Sequence, residues 1–372
     1  MPDLLLTVNA GSSSLRLAAF RAEGGRVEAL ARVRHDARPE AGPALLREFL
    51  ERQGLGPPAT VAHRVVHGGR EPAPRRIDDS VEALIDRFAE VAPLHNPPAL
   101  AWIRACRSLF GPTVPQVAVF DTSFFTALPE AAAAYALPRA LREAHGLRRY
   151  GFHGLAHRSM WRRLCELRPD RPRGGRLVTL QLGSGCSAAA IDHGQAVDCS
   201  MGFTPLEGLV MATRAGDVDP GLLLYLERVA GLDAAALEHV LNAESGLRGL
   251  SGTSGDMREL LALVEAGHHP DAALAVDVFC HRARKYVGSY LAVLGGADAL
   301  VFGGGIGEHL PQVRERVLRG MEGCGLALSP QANAQAVGAE ARLDVGKGGT
   351  EIWVVQVDEE RILAEDALAL LA

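Results

Sequence analysis

With 372 residues, of which 48% are hydrophobic and 22% charged, the chain is long enough for two cores, and two domains are expected. A formal net charge of -5 and a pI near 6.2 give no general attraction to nucleic acid or to an anionic membrane, so any cationic site must be local and the substrate small. The six cysteines include no Cys-x-x-Cys pair, which argues against a zinc site and a disulfide framework and points to a reducing cytoplasm.

Residues 3–20, DLLLTVNAGSSSLRLAAF, read as an apolar strand, a turn built from Asn9, Gly11, Ser12, Ser13 and Ser14, and a second apolar run carrying Arg16. Such a hairpin tip offers backbone N–H groups, hydroxyls, an amide and a guanidinium to a phosphate. The start lacks the basic residues and long apolar core of a signal peptide. Buried strands are expected at 61–66 and 116–120, and helical spacing of apolar residues at 80–89, 99–109 and 155–167. Residues 168–176, RPDRPRGGR, form the clearest loop, where composition alone places a domain cut. Immediately after it, residues 177–191, LVTLQLGSGCSAAAI, repeat the first device. A single Gly/Ser turn between strands is usually just a turn, but two in one chain point to paired phosphate hairpins.

Further on, SGTSGDMREL runs through Asp256 into a helix, and residues 270–294 carry a long helical pattern. The stretch 289–307 is the most apolar, but Asp298 and its glycines break it too often for a bilayer span. A strand at 298–302 leads into Gly303, Gly304, Gly305, Ile306 and Gly307. That run suits either close backbone approach to a nucleotide, with a helix starting near Glu308, or a tight strand-to-helix turn. Lys347 sits in GKGGT, which lacks P-loop spacing and reads as a surface turn, and a Rossmann fingerprint is missing. Alternating β-rich and helical runs favour an α/β architecture.

Strand ends and loops carry further chemistry. Arg64 and His67 lie in HRVVHGG, His95 in a Pro-rich loop, Asp121 at the end of a strand, His153 before a helix, and Arg214 after an apolar run. Taken singly, Arg64 and Arg214 could be ion-paired surface residues and His153 a helix cap. Asp121 stands where ligands of α/β sheets gather.

In order from Asn9 to about Asp366, the segments NAGSSSLR, HRVVHGG, PLHNP, FDTSF, YGFHG, MGFTPLEGL, TRAGDVDP, SGTSGDMR, FGGGIGEH and DEERILAED resemble the acetate kinase family, which includes propionate and butyrate kinases. The resemblance implies an α/β fold of duplicated actin-like (ribonuclease H-like) ATPase domains around an interdomain cleft. It moves the expected cut to Asp121, with domains 1–121 plus 360–372 and 122–359. It also implies a cytoplasmic homodimer that uses ATP or ADP with Mg²⁺ or Mn²⁺ and binds neither nucleic acid nor membrane.

By the same resemblance, Asn9 and Glu359 hold the metal, directly or through water, and Arg64 and Arg214 clamp the carboxylate and the phosphoryl group. His153 donates to that group in the transition state, His95 supports its site, and Val66, Leu94, Phe152 and Pro205 match the acyl pocket. Ser12, Ser14 and Arg16 match the first phosphate loop, and Gln181, Leu182, Gly183, Ser184 and Gly185 the second. Asp256, Met257 and Arg258, then Gly305, Ile306, Gly307, Glu308 and His309, match the remaining nucleotide contacts.

These roles make physical sense. Phosphoryl transfer spreads negative charge over equatorial oxygens, so it needs in-line positioning and a cationic clamp, and planar guanidinium groups suit carboxylate and phosphoryl oxygens better than ammonium groups do. A carboxylate nucleophile with a free pKa of roughly 4 to 5 has no proton to lose at neutral pH. Asp121 is therefore expected to organise Mg²⁺ or an arginine rather than to act as a base. Departures from the family pattern fall on the donor side: Arg16 stands where lysine is usual, Gln181 where histidine is, and Ser184 and His309 where asparagines are. They leave open the same acyl acceptor with pyrophosphate or another donor, or a nucleotide-binding regulator with weak catalysis. A sugar kinase is disfavoured by Arg64 and Arg214.

Overall fold

The computed structural model describes residues 3–11, 14–35, 42–267, 269–346 and 349–372. Ser12 and Lys347 lie outside them. The chain divides into two compact units, the first made of Met1–Thr126, Phe152–Ser159 and Asp358–Ala372, the second of Ala127–Gly151 and Met160–Val357.

The first unit is built on strands β1 (Asp3–Ala10), β2 (Leu15–Glu23), β3 (Arg26–His35), β4 (Thr60–Val65), β5 (Arg75–Arg76) and β6 (Gln116–Phe120) in the order β3-β2-β1-β4-β6-β5. β1, β2 and β3 pair antiparallel, while β1, β4 and β6 run parallel, with Asn9 opposite Arg16 at the tip of the first hairpin. Because successive strand residues face opposite sides, the unbroken apolar run of β1 serves two layers. Leu6, Val8, Leu15 and Leu17 pack with Leu46, Phe49, Leu50 and Trp102. Leu5, Ala18, Phe20, Ala62, Val117 and Val119 pack with Leu155, Ile362, Leu363 and Ala367 on the other face. The helix Asn96–Phe110 begins with prolines in its first turn and stops at Gly111, both favoured by fixed or permissive backbone angles.

In the second unit, β7 (Arg176–Leu182), β8 (Cys186–Asp192), β9 (Gln195–Cys199), β10 (Ala299–Gly303), β11 (Ala341–Arg342) and β12 (Glu351–Val354) take the order β9-β8-β7-β10-β12-β11. The strand senses repeat those of the first sheet one for one. This is the duplicated actin-like ATPase fold. The helix Pro270–Leu294 packs on β7 and β8.

Two expectations shift. The cut expected at Asp121 falls at the start of the 3-10 helix Asp121–Phe125, which stays in the first unit, and residues 152–159 join that unit because Leu155 enters its core. The helix expected near Glu308 begins at Gly304 instead. Gly304 has φ of +76°, which turns the chain directly out of β10, and a Cβ there would lie 2.6 Å from the Leu182 carbonyl oxygen; only glycine meets both conditions.

Candidate active site

In the first unit the site grows from three strand ends. Asn9 is the penultimate residue of β1, Arg64 of β4, and Asp121 follows β6 directly. The Arg64 guanidinium donates from Nε to both Asp121 oxygens at 3.2 Å, from Nη2 to Oδ2 at 2.6 Å, and from Nη1 to Asn9 Oδ1 at 3.2 Å. Asn9 in turn donates from Nδ2 to Glu359 at 2.8 Å and Glu360 at 2.9 Å, on the helix Glu359–Leu371. Arg16, across the hairpin, lies 3.2 Å from Glu359. The amide and guanidinium expected to face a phosphate are thus held by buried carboxylates.

The charges in this cluster shape one another. Burial works against the Arg64 charge, but Asp121 and Glu359 outweigh it and raise its pKa, so the group stays cationic. Burial raises the Asp121 carboxyl, with Arg64 opposing. Burial also acts to raise Glu359, yet Arg64, Arg16 and the Asn9 amide together hold it below the usual range, while burial and the Glu359 charge push Glu360 above it. Arg16 and Arg64 face the carboxyls of Asp121, Glu359 and Glu360, a surplus of acid that suits a divalent cation. The donors are hard oxygens, as Mg²⁺ prefers. Among the described residues no cluster of three His, Cys, Asp or Glu could enclose an ion, so such an ion would keep water and substrate oxygens as ligands.

The helix Gly154–Leu167 starts on this cluster. A Cβ at Gly154 would strike the Asp121 carbonyl, and the Leu155 N–H donates to the Asp121 carboxylate. That contact fixes His153 just before the helix with φ of 56°, in the left-handed region that non-glycine residues rarely adopt. Strain of this kind gathers at functional sites. One turn on, the buried His157 ring has its pKa lowered to about 3 by burial, with Glu359 opposing.

Beyond β4, Val66 is buried and the His67 ring stacks on Phe88 (4.3 Å, 9°) and meets Phe152 edge-on (5.2 Å, 71°). Asn96 locks this turn by accepting from His67 N at 3.1 Å and donating to the His67 and Ile85 carbonyls at 3.0 and 2.9 Å. Phe152 is fully buried, His95 stands at the position just before the helix Asn96–Phe110 without a side-chain capping hydrogen bond, and Leu94 is 46% exposed.

In the second unit, the β7–β8 tip is Gly183-Ser184-Gly185. Gly183 N donates to the Gly185 carbonyl at 3.2 Å, and Ala212 N to the Ser184 carbonyl at 3.0 Å. Gln181 stands at the end of β7 opposite Ser187 and beside Gly303. Gly305 is exposed with open space around its α-carbon. The Glu308 carboxylate accepts from Gly304 N at 2.9 Å and Val357 N at 3.1 Å, and His309 is exposed near Gly338. Asp256 caps the helix Met257–Glu265 and pairs with the exposed Arg258, while Met257 is buried. Arg214 donates to the carbonyl of the buried Pro205 at 2.9 Å. The loop between them is braced by Asp217, which accepts from Gly208 N, Arg282 and Tyr286, and by Glu207, which accepts from Arg149 and Tyr135.

Several residues here escape sequence reasoning. Glu360 adjoins Glu359 in DEERILAED, and His157 follows His153 by one helical turn; either spacing could have flagged them. Asn96, inside PLHNP, gives no comparable signal. Nor does Arg314, a fully buried guanidinium with no carboxylate partner among the described residues, which donates to the carbonyls of Gly307, Asn333 and Ala336 at 2.6 to 2.9 Å. Burial lowers its pKa to about 10.

The acetokinase family profile matches residues 44–365. An acetate kinase of Chloroherpeton thalassium is 46% identical over 309 residues, covering 82% of this chain and 74% of that one. An acetate kinase of Streptomyces coelicolor is 42% identical over 398 residues, covering 99% and 97%. The solved Porphyromonas gingivalis acetate kinase superposes with a TM-score of 0.88 at 35% identity over 100% of both chains. A Francisella tularensis propionate kinase does so with 0.88 at 31% over 99% of each. The chain therefore belongs to the acetokinase family, phosphotransferases whose acceptor is a carboxyl group.

Proposed function

We propose that this chain is a short-chain carboxylate kinase, which moves the γ-phosphoryl group of ATP reversibly onto acetate or a similar acid to give an acyl phosphate and ADP. The observation that carries the reading is the cluster of Asn9, Arg64, Asp121 and Glu359, held together by hydrogen bonds in a family whose relatives are named acetate and propionate kinases.

Arg64 binds and orients the carboxylate, and Asp121 keeps its fork fixed so that little reorganisation remains when the acceptor arrives. Arg214 and His153 neutralise charge developing on the transferring oxygens. Asn9 and Glu359 would hold a Mg²⁺ ion, which would supply charge neutralisation on the polyphosphate. Val66 and Phe152 give the acyl chain an apolar wall. A homodimer is supported by the helix Pro220–Ala230, which buries none of its residues and leaves Leu222, Leu224, Tyr225 and Val229 47 to 64% exposed. A cytoplasmic location agrees with cysteines that form no disulfide. Another phosphoryl donor or a purely regulatory role is not favoured by the relatives.

Trapping acyl phosphate with hydroxylamine in the presence of ATP, Mg²⁺ and acetate, propionate or butyrate tests the reading. Product with at least one acid is expected; none with any of the three would overturn it.

A further inference from the structure

The two sheets invite a position-by-position comparison of their hairpins. Asn9-Ala10-Gly11 and Gln181-Leu182-Gly183 occupy the same places: each amide is the penultimate residue of its central strand and each glycine opens the turn. Opposite Asn9 stands Arg16, and opposite Gln181 stands Ser187. On the neighbouring parallel strand, the pairing of Val8 with His63 puts Arg64 beside Asn9, and Gln181 pairs with Gly303.

The Asn9 carbonyl oxygen accepts from Arg64, and its nitrogen is taken by Glu359 and Glu360. Gln181 Oε1 is buried without a hydrogen-bond partner among the described residues. Gly303 brings no side-chain donor, and none would fit, because the space its Cβ would enter is filled by Val357 Cγ2 at 2.6 Å and Met160 Sδ at 2.7 Å. The next N–H, that of Gly304, is already given to Glu308. The amide lies over the glycine run, with Nε2 2.8 Å from where a Gly304 Cβ would sit. A buried acceptor left open by its own protein is costly unless a ligand completes it.

We infer that Gln181 is a specificity-determining contact in which Oε1 accepts a hydrogen bond from a hydroxyl or water carried in with the polyphosphate substrate. The inference rests on the proposed kinase reading. Unprotonated phosphate oxygens cannot satisfy Oε1, since they only accept. The donor is therefore a ribose hydroxyl or a metal-bound water.

Calorimetric binding of ADP to the wild type and to Gln181→Leu, with Mg²⁺ and with EDTA, tests this. Leucine keeps the bulk and removes the open carbonyl, so affinity should fall about 3- to 10-fold, the ratio one hydrogen bond of ordinary strength commands. The KM for acetate should stay the same, and the ligand-free melting temperature should hold or rise. Weakening in both conditions assigns the donor to ribose, and weakening only with Mg²⁺ assigns it to metal-bound water. Unchanged affinity in both conditions would overturn the inference. If the wild type forms acyl phosphate from ATP while the variant binds ADP equally well, only the role of Gln181 fails and the kinase reading stands.

Discussion

The two units share one strand order and one hairpin, yet finish their tips in opposite ways. In the first, Asn9, Arg16, Arg64, Asp121, Glu359 and Glu360 close on one another through charge-assisted hydrogen bonds. In the second, the equivalent ground is glycine and an amide whose carbonyl oxygen has no hydrogen-bond partner among the described residues. Under the proposed kinase reading, the two tips play different parts: the first offers a rigid, pre-paired charge arrangement for the acceptor and the metal, and the second offers bare backbone that a polyphosphate can approach closely.

The contrast can be broken most severely at Arg64. Arg64→Ala strips the buried Asp121 of its counter-ion, so turnover should fall about 10²- to 10³-fold and the first unit should lose about 3–5 kcal/mol. Arg214→Ala, whose parent donates to a backbone carbonyl, should match that loss of turnover with a much smaller loss of stability. Acyl hydroxamate rates and urea titrations of both variants decide this, and equal stability losses would contradict the division drawn here.

Gly304→Ala attacks the open tip. The φ of +76° and the approach to the Leu182 carbonyl should together cost about 2–3 kcal/mol and weaken ADP binding while sparing the KM for acetate. A variant that melts like the wild type would show that the tip accepts a side chain.

A gentler probe is pH. Burial lowers His63 to about 4 and His157 to about 3, so both rings stay neutral in the folded first unit when the unfolded chain, with its ordinary value near 6.5, takes up protons. Stability should therefore decline as pH falls from about 7 to 5, by about 2 kcal/mol for each ring. Urea midpoints at the two pH values measure it. His63→Gln should flatten the decline, and an unaltered slope would remove His63 from the account.

Much of the architecture was readable in advance because its signals are local. Both hairpins, the strands reaching Arg64 and Asp121, and the helix Pro270–Leu294 follow from apolar runs of period 2 or 3.6 broken by Gly, Ser and Pro. Segment matches pointed to the family. Less visible was what each polar side chain would meet. Asn9 bonds Glu359 across 350 residues and Arg64 bonds Asp121 across 57, distances over which no spacing rule operates. Arg314 looks like any helical arginine until burial sets it among backbone carbonyls.

The sequence by itself determined the elements, the repeated hairpin and the residue types at its tips, since backbone propensity and patterning act over a few positions. Only the tertiary structure decided that one tip would be sealed by charges and the other left open. That outcome depends on which residue the neighbouring parallel strand brings alongside, arginine in one case and glycine in the other.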